Sequence, residues 1–313
     1  MDIRQLRYFI RVAELGSFSR AALMLDIGQP SLSRQIRQLE VELRQNLLIR
    51  NGRGVEPTEA GNVLLELGRG IMHQMDRVYE ELGRVEGSLA GRVSVGLPPT
   101  WARLVVLRFT RLLQQELPHA SVAVTEGPSV NLRDNVLHGN LDIALLYNPL
   151  PTPDLEFLPL QDEELFVISR KAGDSEEDEP LTLKRLAAMP LIVPTRPNPI
   201  RMLLEREFCA LGLSPHIAYE IEGIGSILEL VRDGAGHAVL PISAVQTPGH
   251  AGTFQCRPVR PDGLKIPLML AVSARRRATH TQRAALPLLA ELIRATGARL
   301  PHLQGIADSA DHP

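Results

Sequence analysis

A chain of 313 residues that is 44% hydrophobic can bury substantial cores and is long enough for two or three domains. Its formal net charge of −2 excludes a general polycation, and two cysteines, Cys209 and Cys256, are too few for a disulfide framework. No apolar run approaches the ~18 residues of a membrane span, and none resembles a signal peptide. The expected setting is a reducing cytoplasm, with free thiols and no membrane partner. The first 60 residues run against the whole chain, with nine arginines facing seven Asp and Glu. That asymmetry suits DNA, but the only lysines are Lys171, Lys184 and Lys265, and genome composition explains an arginine bias as well as function does.

The first element is a helix. Asp2 and Gln5 have capping-box spacing, Leu6, Phe9, Ile10 and Ala13 form one apolar face, and Gly16 stops it. A second helix carries Ala21, Ala22 and Leu25, small or apolar at helical spacing, as a close helix crossing needs. Gly28 and Gln29 break that pattern, and Pro30 suits the first turn of a third helix, where its missing N–H costs nothing. Leu32, Ile36, Leu39 and Leu43 then make one buried stripe. Gln29, Pro30, Ser33, Arg34 and Arg37 fall on another face, with Ser19, Arg20 and Ser31 beside them. The pattern fits an ordinary amphipathic surface helix. It fits a DNA major groove as well, since Gln can pair with adenine, Arg with guanine and Ser with a phosphate or base edge. Residues 47–50 and 55–57 can form two short strands around Asn51-Gly52, a strong hairpin signal that adds Arg50 and puts Arg53 at the tip, where a guanidinium can enter a minor groove.

Three helices and a basic hairpin make a winged helix. Residues 1–61, through SFSRAA, QPSLSRQIRQLE, LLIRNGRGV and PTEAG, resemble the N-terminus of LysR-type transcriptional regulators. The chain departs from that pattern in three places. Arg44-Gln45 replaces a Gly-containing turn, Leu48 replaces a frequent Phe, and Gly28 stands where Ser or Thr often caps the helix, a change that costs little. The segments LLIRNGRGVEPTEAG, IALLYNP and EIEGIGSILELV are most similar to the nitrogen-assimilation and aromatic-catabolism branches of the family.

From 63 to 89 the apolar pattern lengthens. Leu64, Leu67, Ile71, Met75, Val78, Leu82, Val85 and Leu89 follow steps of three and four, close to a heptad seam that one helix cannot bury alone. It can pack on its own C-terminal domain or on a second copy. A dimer is the expectation, because paired winged helices need fixed spacing to read two half-sites. Gly87 and Gly91 mark its end.

Beyond residue 92 strands and helices alternate. The expected strands are 92–96, 121–126, 142–147, 164–169, 191–193, 217–221, 237–240 and 266–272, and the expected helices are 102–117, 130–138, 200–211, 224–232 and 279–298. Such alternation implies α/β units with mostly parallel sheets. Through RVSVGLPPT, LHGNLDIALL, PLIVPT and VRDGAGHAVLPISAV this part resembles the effector-binding domain of the same regulators, similar in fold to periplasmic ligand-binding proteins. The expected fold class is therefore α+β multidomain: a winged helix-turn-helix (1–60), a long dimerisation helix (61–92) and a two-lobed α/β effector domain. Lobe I would comprise 93–162 and 264–300, lobe II 163–263, with a disordered tail at 301–313. The acidic run at 174–179 reads as a solvated loop.

Strand-to-helix turns present free backbone N–H groups and the positive end of a helix dipole, which suits an anion. Thr100 and Ser129 stand at two such turns, each open to reading as a plain N-cap or a ligand contact. Asn148 follows a third strand, and Thr195, Arg196 and Asn198 form a turn in lobe II. Arg196 reads more readily as a solvated surface cation than as a ligand contact, and Trp101 equally as core or pocket wall. The resemblance raises the ligand reading, since these turns match where effectors sit between the lobes. Catalysis has little support: GPSVN misses the last glycine of a nucleophile elbow, and the Gly223/Gly225 and Gly234/Gly236 pairs lack a third glycine. The nine histidines show no metal-ligand spacing, so neither cofactor nor metal is expected. The expected protein is a DNA-binding regulator, not an enzyme. Its expected partners are operator DNA with inverted half-sites, a small and anionic effector, a second or further copies of itself as homodimer or homotetramer, and RNA polymerase as a further candidate. The alternatives are a regulator with a vestigial pocket and a solute-binding protein, the latter disfavoured by the missing signal peptide and the arginine-bearing N-terminal helices.

Overall fold

The computed structural model describes residues 1–51, 54–85, 91–171, 180–246, 252–260 and 263–300. Gly52 of the expected hairpin turn, Arg53, Gly87, Leu89, the acidic run at 174–179 and the tail at 301–313 lie outside the described residues. Two compact units divide the chain: Met1–Gly91 with Leu137–Asn140, and Arg92–Val136 with the residues from Leu141 on.

The first unit holds α1 (Ile3–Leu15), α2 (Phe18–Met24), α3 (Gln29–Leu43), β1 (Leu48–Asn51), β2 (Gly54–Pro57) and α4 (Glu59–Val85). Asp2 and Gln5 close the capping box on α1, and Gly16 ends it in the left-handed conformation. Ser17 caps α2, whereas Gly28 gives α3 no side-chain cap. Leu32, Ile36 and Leu39 are buried, with Ala21 and Ala22 packed opposite Leu32 and Ile36. Arg44, in the position usually served by glycine, takes φ 54° at the end of α3. Glu40 then secures the exit from α3, its Oε1 accepting from the N–H groups of Leu47 (2.8 Å) and Leu48 (3.2 Å). The segment PTEAG joins hairpin to long helix. Thr58 donates to the Asn46 carbonyl and accepts from the Gly61 N–H, and a Cβ on Gly61 would stand 2.0 Å from the Leu47 carbonyl oxygen. Only glycine lets the helix come that close.

The second unit runs β3 (Arg92–Leu97), α5 (Pro99–Glu116), β4 (Ser121–Glu126), α6 (Ser129–His138), β5 (Ile143–Tyr147), β6 (Leu155–Arg170), α7 (Leu183–Ala187), β7 (Leu191–Val193), α8 (Pro199–Ala210), β8 (Ile217–Glu220), α9 (Ile224–Asp233), β9 (Ala238–Pro241), a short 3-10 turn (Ile242–Ala244), β10 (Phe254–Pro258), β11 (Leu264–Ser273) and α10 (His280–Arg299). The expectation of mostly parallel sheets is corrected. β3 pairs in parallel with β4 and β5, but β11 is antiparallel to β5 and β6, and β6 is antiparallel to β9 and β10. The reason is β6, sixteen residues long where alternation pointed to 164–169. Pro159 and the polar run Gln161–Glu164 hide its first half, which pairs with β11 along its length. The parallel strands attach at one end of the β6–β11 pair, and β9 and β10 at the other. β7 and β8 form a separate parallel pair. β10 and α7 are further elements that the residue pattern did not mark.

Candidate nucleic-acid interface and ligand cleft

In the first unit, Gln29, Pro30, Ser31, Arg34 and Arg37 are exposed on α3, and Ser19 and Arg20 are exposed on α2. The Ser19 hydroxyl donates to Gln29 Oε1 at 3.2 Å, which aims the glutamine from the neighbouring helix. Ser33 is half-buried and already engaged. Its oxygen accepts from Arg50 Nη2 at 2.8 Å, and the Arg50 guanidinium lies 4.2 Å from the centre of the Phe18 ring. Arg20 donates to the Leu15 carbonyl. Of the candidate DNA contacts, then, Gln29, Arg34 and Arg37 present their heads to solvent from one helix face, while Ser33 and Arg50 serve each other.

The long-helix stripe divides in two. Leu64 packs with Leu6, Phe9, Leu39 and Leu47 in the core beneath α1. Leu67 (48% exposed), Ile71, Val78 (51%) and Leu82 (61%) stand in solvent, and Met75 is half-buried. The side chain of Val85 lies outside the described residues. Four large apolar groups exposed along one helix form a patch of the kind that marks a protein contact.

In the second unit, a cleft of 220 Å³ opens where four strand-to-helix turns meet. α5 brings Pro98, Pro99 and Thr100, and α6 brings Pro128 and Ser129. α8 brings Asn198, Pro199 and Ile200, and α9 brings Glu222, Gly223 and Ile224. Tyr147, Leu240, Pro241 and Ala244 complete the apolar wall. Thr100, Ser129 and Asn198 are thereby brought together. Neither Thr100 nor Ser129 is a plain N-cap. Thr100 is the second residue of α5, and the Ser129 oxygen accepts the Tyr147 N–H at 3.0 Å, leaving its own proton free to donate. Asn198 is a true cap, accepting from the N–H groups of Ile200 (2.9 Å) and Arg201 (3.4 Å), so α8 offers a ligand fewer free amides than α5 or α6.

Four expected contacts stay off the cleft wall. Trp101 is fully buried among the core side chains, and its indole N–H donates to Glu163 Oε2 at 3.2 Å. Asn148 is exposed at φ 39°, with its N–H on the Pro267 carbonyl. Arg196 is drawn along α8 by Glu205, donating from Nε at 3.1 Å and from Nη2 at 2.6 Å. That hydrogen bond, with help from Arg201, holds the Glu205 carboxyl below the usual carboxylate range. Thr195 is half-buried beside the turn, outside the lining. Residue reasoning missed Tyr147, Glu222, Gly223 and Ile224. The rule that picked Thr100 and Ser129 applies equally to the turn after β8, and would have found the last three. No cationic side chain is among the lining residues, and the titratable ones are Tyr147 and Glu222.

Residues 3–62 match the family of bacterial regulatory helix-turn-helix proteins of lysR type, and residues 86–294 match the LysR substrate binding domain. The chain is 33% identical over 276 residues to the nitrogen assimilation regulatory protein nac of Klebsiella aerogenes, covering 88% of this chain and 90% of that protein. It is 31% identical over 270 residues to the HTH-type transcriptional regulator BbuR of Bordetella bronchiseptica, covering 86% and 83%. The fold is shared with crystal structures of CbnR, a LysR family transcriptional regulator. The TM-score is 0.70 at 23% identity, over 95% of this chain and 99% of that one. For CbnR complexed with its target DNA it is 0.69 at 24% identity, over 95% and 100%. This chain belongs to the LysR family of DNA-binding transcriptional regulators.

Proposed function

We propose that this regulator reads operator DNA as a homo-oligomer and answers to a small anionic metabolite with an apolar body. In this reading α3 enters the major groove of each half-site, with Gln29, Arg34 and Arg37 toward the bases and Arg53 as a further DNA contact. Leu67, Ile71, Val78 and Leu82 join two copies through α4. The lobe boundaries fall at 162, inside β6, and at 264, where β11 begins, so that lobes joined by two strands can shift against each other when the cleft fills. The winged domain ends near residue 60, and the protein works in the cytoplasm.

The observation that carries the ligand reading is the meeting of four helix starts on one apolar cleft. First-turn N–H groups lack intrahelical partners and carry the positive end of the dipole, so charge can be met there without a guanidinium. The test is a footprint on the chain's own promoter region, followed by gel shifts with a panel of small carboxylates. A two-half-site footprint that one carboxylate alters supports the reading. A footprint that no carboxylate alters leaves a regulator governed by its own concentration.

A further inference from the structure

The cleft described above has a buried carboxyl behind its wall. Glu163 lies opposite Ile266 of β11, in the stretch of β6 that links the two ends of the sheet, and is 5% exposed. Its Oε2 receives the Tyr147 hydroxyl at 2.8 Å and the Trp101 indole N–H at 3.2 Å. Tyr147 in turn forms part of the cleft wall, with the Thr100 hydroxyl beside its own. The groups facing Glu163 are Tyr147 from β5, Trp101 from α5 and Ser243 from the 3-10 turn, of which Tyr147 alone is titratable, and none of them is cationic. A buried carboxylate without a cation is costly, and gaining a proton is how such a group escapes the cost. Burial raises the proton affinity of Glu163, the neighbouring Ser243 hydroxyl and the hydrogen bonds from Tyr147 and Trp101 oppose the rise in part, and burial with the neighbouring Glu163 pushes the Tyr147 phenol well above its ordinary value.

We propose that Glu163 decides what Tyr147 offers to the cleft, acting as a positioning residue of the effector site. As a carboxylate it takes the phenolic hydrogen, and Tyr147 shows the cleft only acceptor lone pairs. On gaining one proton from solvent it becomes a donor, gives its own O–H to Tyr147 Oη, and leaves the phenolic hydrogen to turn toward the cleft. The wall then donates to an anion instead of repelling it. Occupation by an anion and protonation of Glu163 therefore favour each other, by linkage. The coupling to anions rests on the ligand reading above; the switch at Tyr147 does not.

Trp101 is the chain's single tryptophan and bonds directly to Glu163, so it reports on the switch. Emission from the full-length protein, followed across a pH series, should titrate with a midpoint above the ordinary glutamate value, and should be flat in Glu163→Gln. Tyr147→Phe removes a donor from the carboxylate form, so its midpoint should rise further. That variant decides the matter even if Glu163→Gln fails to fold. A flat wild-type profile, a titration surviving Glu163→Gln, or a midpoint unmoved by Tyr147→Phe overturns the switch. Cyclohexanecarboxylate, with its neutral amide as control, serves as the anion probe. Its affinity should fall by about tenfold per pH unit above the midpoint, and the amide's should not. Equal pH dependence of the two would overturn the coupling. Should neither probe bind at any pH while Trp101 still titrates through Glu163, the small-anion reading falls and the switch stands.

Discussion

Arg50 reaches from the wing to the reading helix, its Nη2 2.8 Å from the Ser33 hydroxyl, with the guanidinium over Phe18 at 4.2 Å. One side chain thus ties β1, α2 and α3 at the surface expected to meet DNA. A guanidinium that stacks and donates at once is poorly replaced by an ammonium. Arg50→Lys should therefore weaken operator binding while the melting temperature of the domain changes little. Gel-shift titration beside a thermal melt checks this. Equal affinity would show that wing and helix hold their angle without the strap.

Base reading is expected from the exposed neighbours on α3. Gln29→Ala and Arg34→Ala should each cost about 1–3 kcal/mol per half-site and relax specificity at one base pair. Selection from a randomised operator library reads this directly. An unchanged consensus in both variants would take α3 out of the groove.

The exposed stripe of α4 predicts assembly. Ile71→Glu with Val78→Glu places two carboxylates where partner helices would bury them, at a cost several times that of a surface pair. Sedimentation should then show smaller species, and operator binding should fall steeply. A double variant that keeps its wild-type mass would mean that the stripe is not the contact between copies.

At Gly61 the prediction concerns stability alone. Alanine would drive its Cβ against the Leu47 carbonyl, a backbone atom that cannot swing aside. The expected loss is about 1–3 kcal/mol, as for overpacked cores, read as a lower midpoint in denaturant. An unchanged midpoint would mean that α4 and the wing separate without penalty.

The pH dependence of the second unit follows from Glu163. Burial raises its proton affinity, so the native state keeps a proton that the unfolded chain has already lost. Stability then falls as pH rises from the unfolded value, near 4.3, through the native one, and levels off above it. Glu163→Gln should abolish that decline, so the melting temperatures of variant and wild type should diverge toward neutral pH. Parallel curves would place the native value at the ordinary one.

Much of the first unit could be read from residues close in sequence. The capping box of Asp2 and Gln5, the stripe of Leu32, Ile36 and Leu39, and the pairing of β1 with β2 each depend on spacings of a few residues, where local geometry decides the outcome. The helix starts at Thr100, Ser129 and Asn198 were legible for the same reason. What lay beyond local reading depends on partners distant along the chain. Glu163 sits in the polar run Gln161–Glu164 and looks solvated until β11, about a hundred residues later, pairs with that half of β6, and Tyr147, Trp101 and Ser243 face the buried carboxyl. Arg196 carries the charge expected of a ligand contact, yet Glu205 on the following helix draws it away from the cleft. Trp101 is the opposite case: it begins a helix at the cleft mouth, but its side chain points inward because the core of the sheet offers both an apolar bed and an acceptor for its N–H. Periodicity reports which face of an element is apolar; which distant group meets a given polar atom depends on how the strands register in three dimensions.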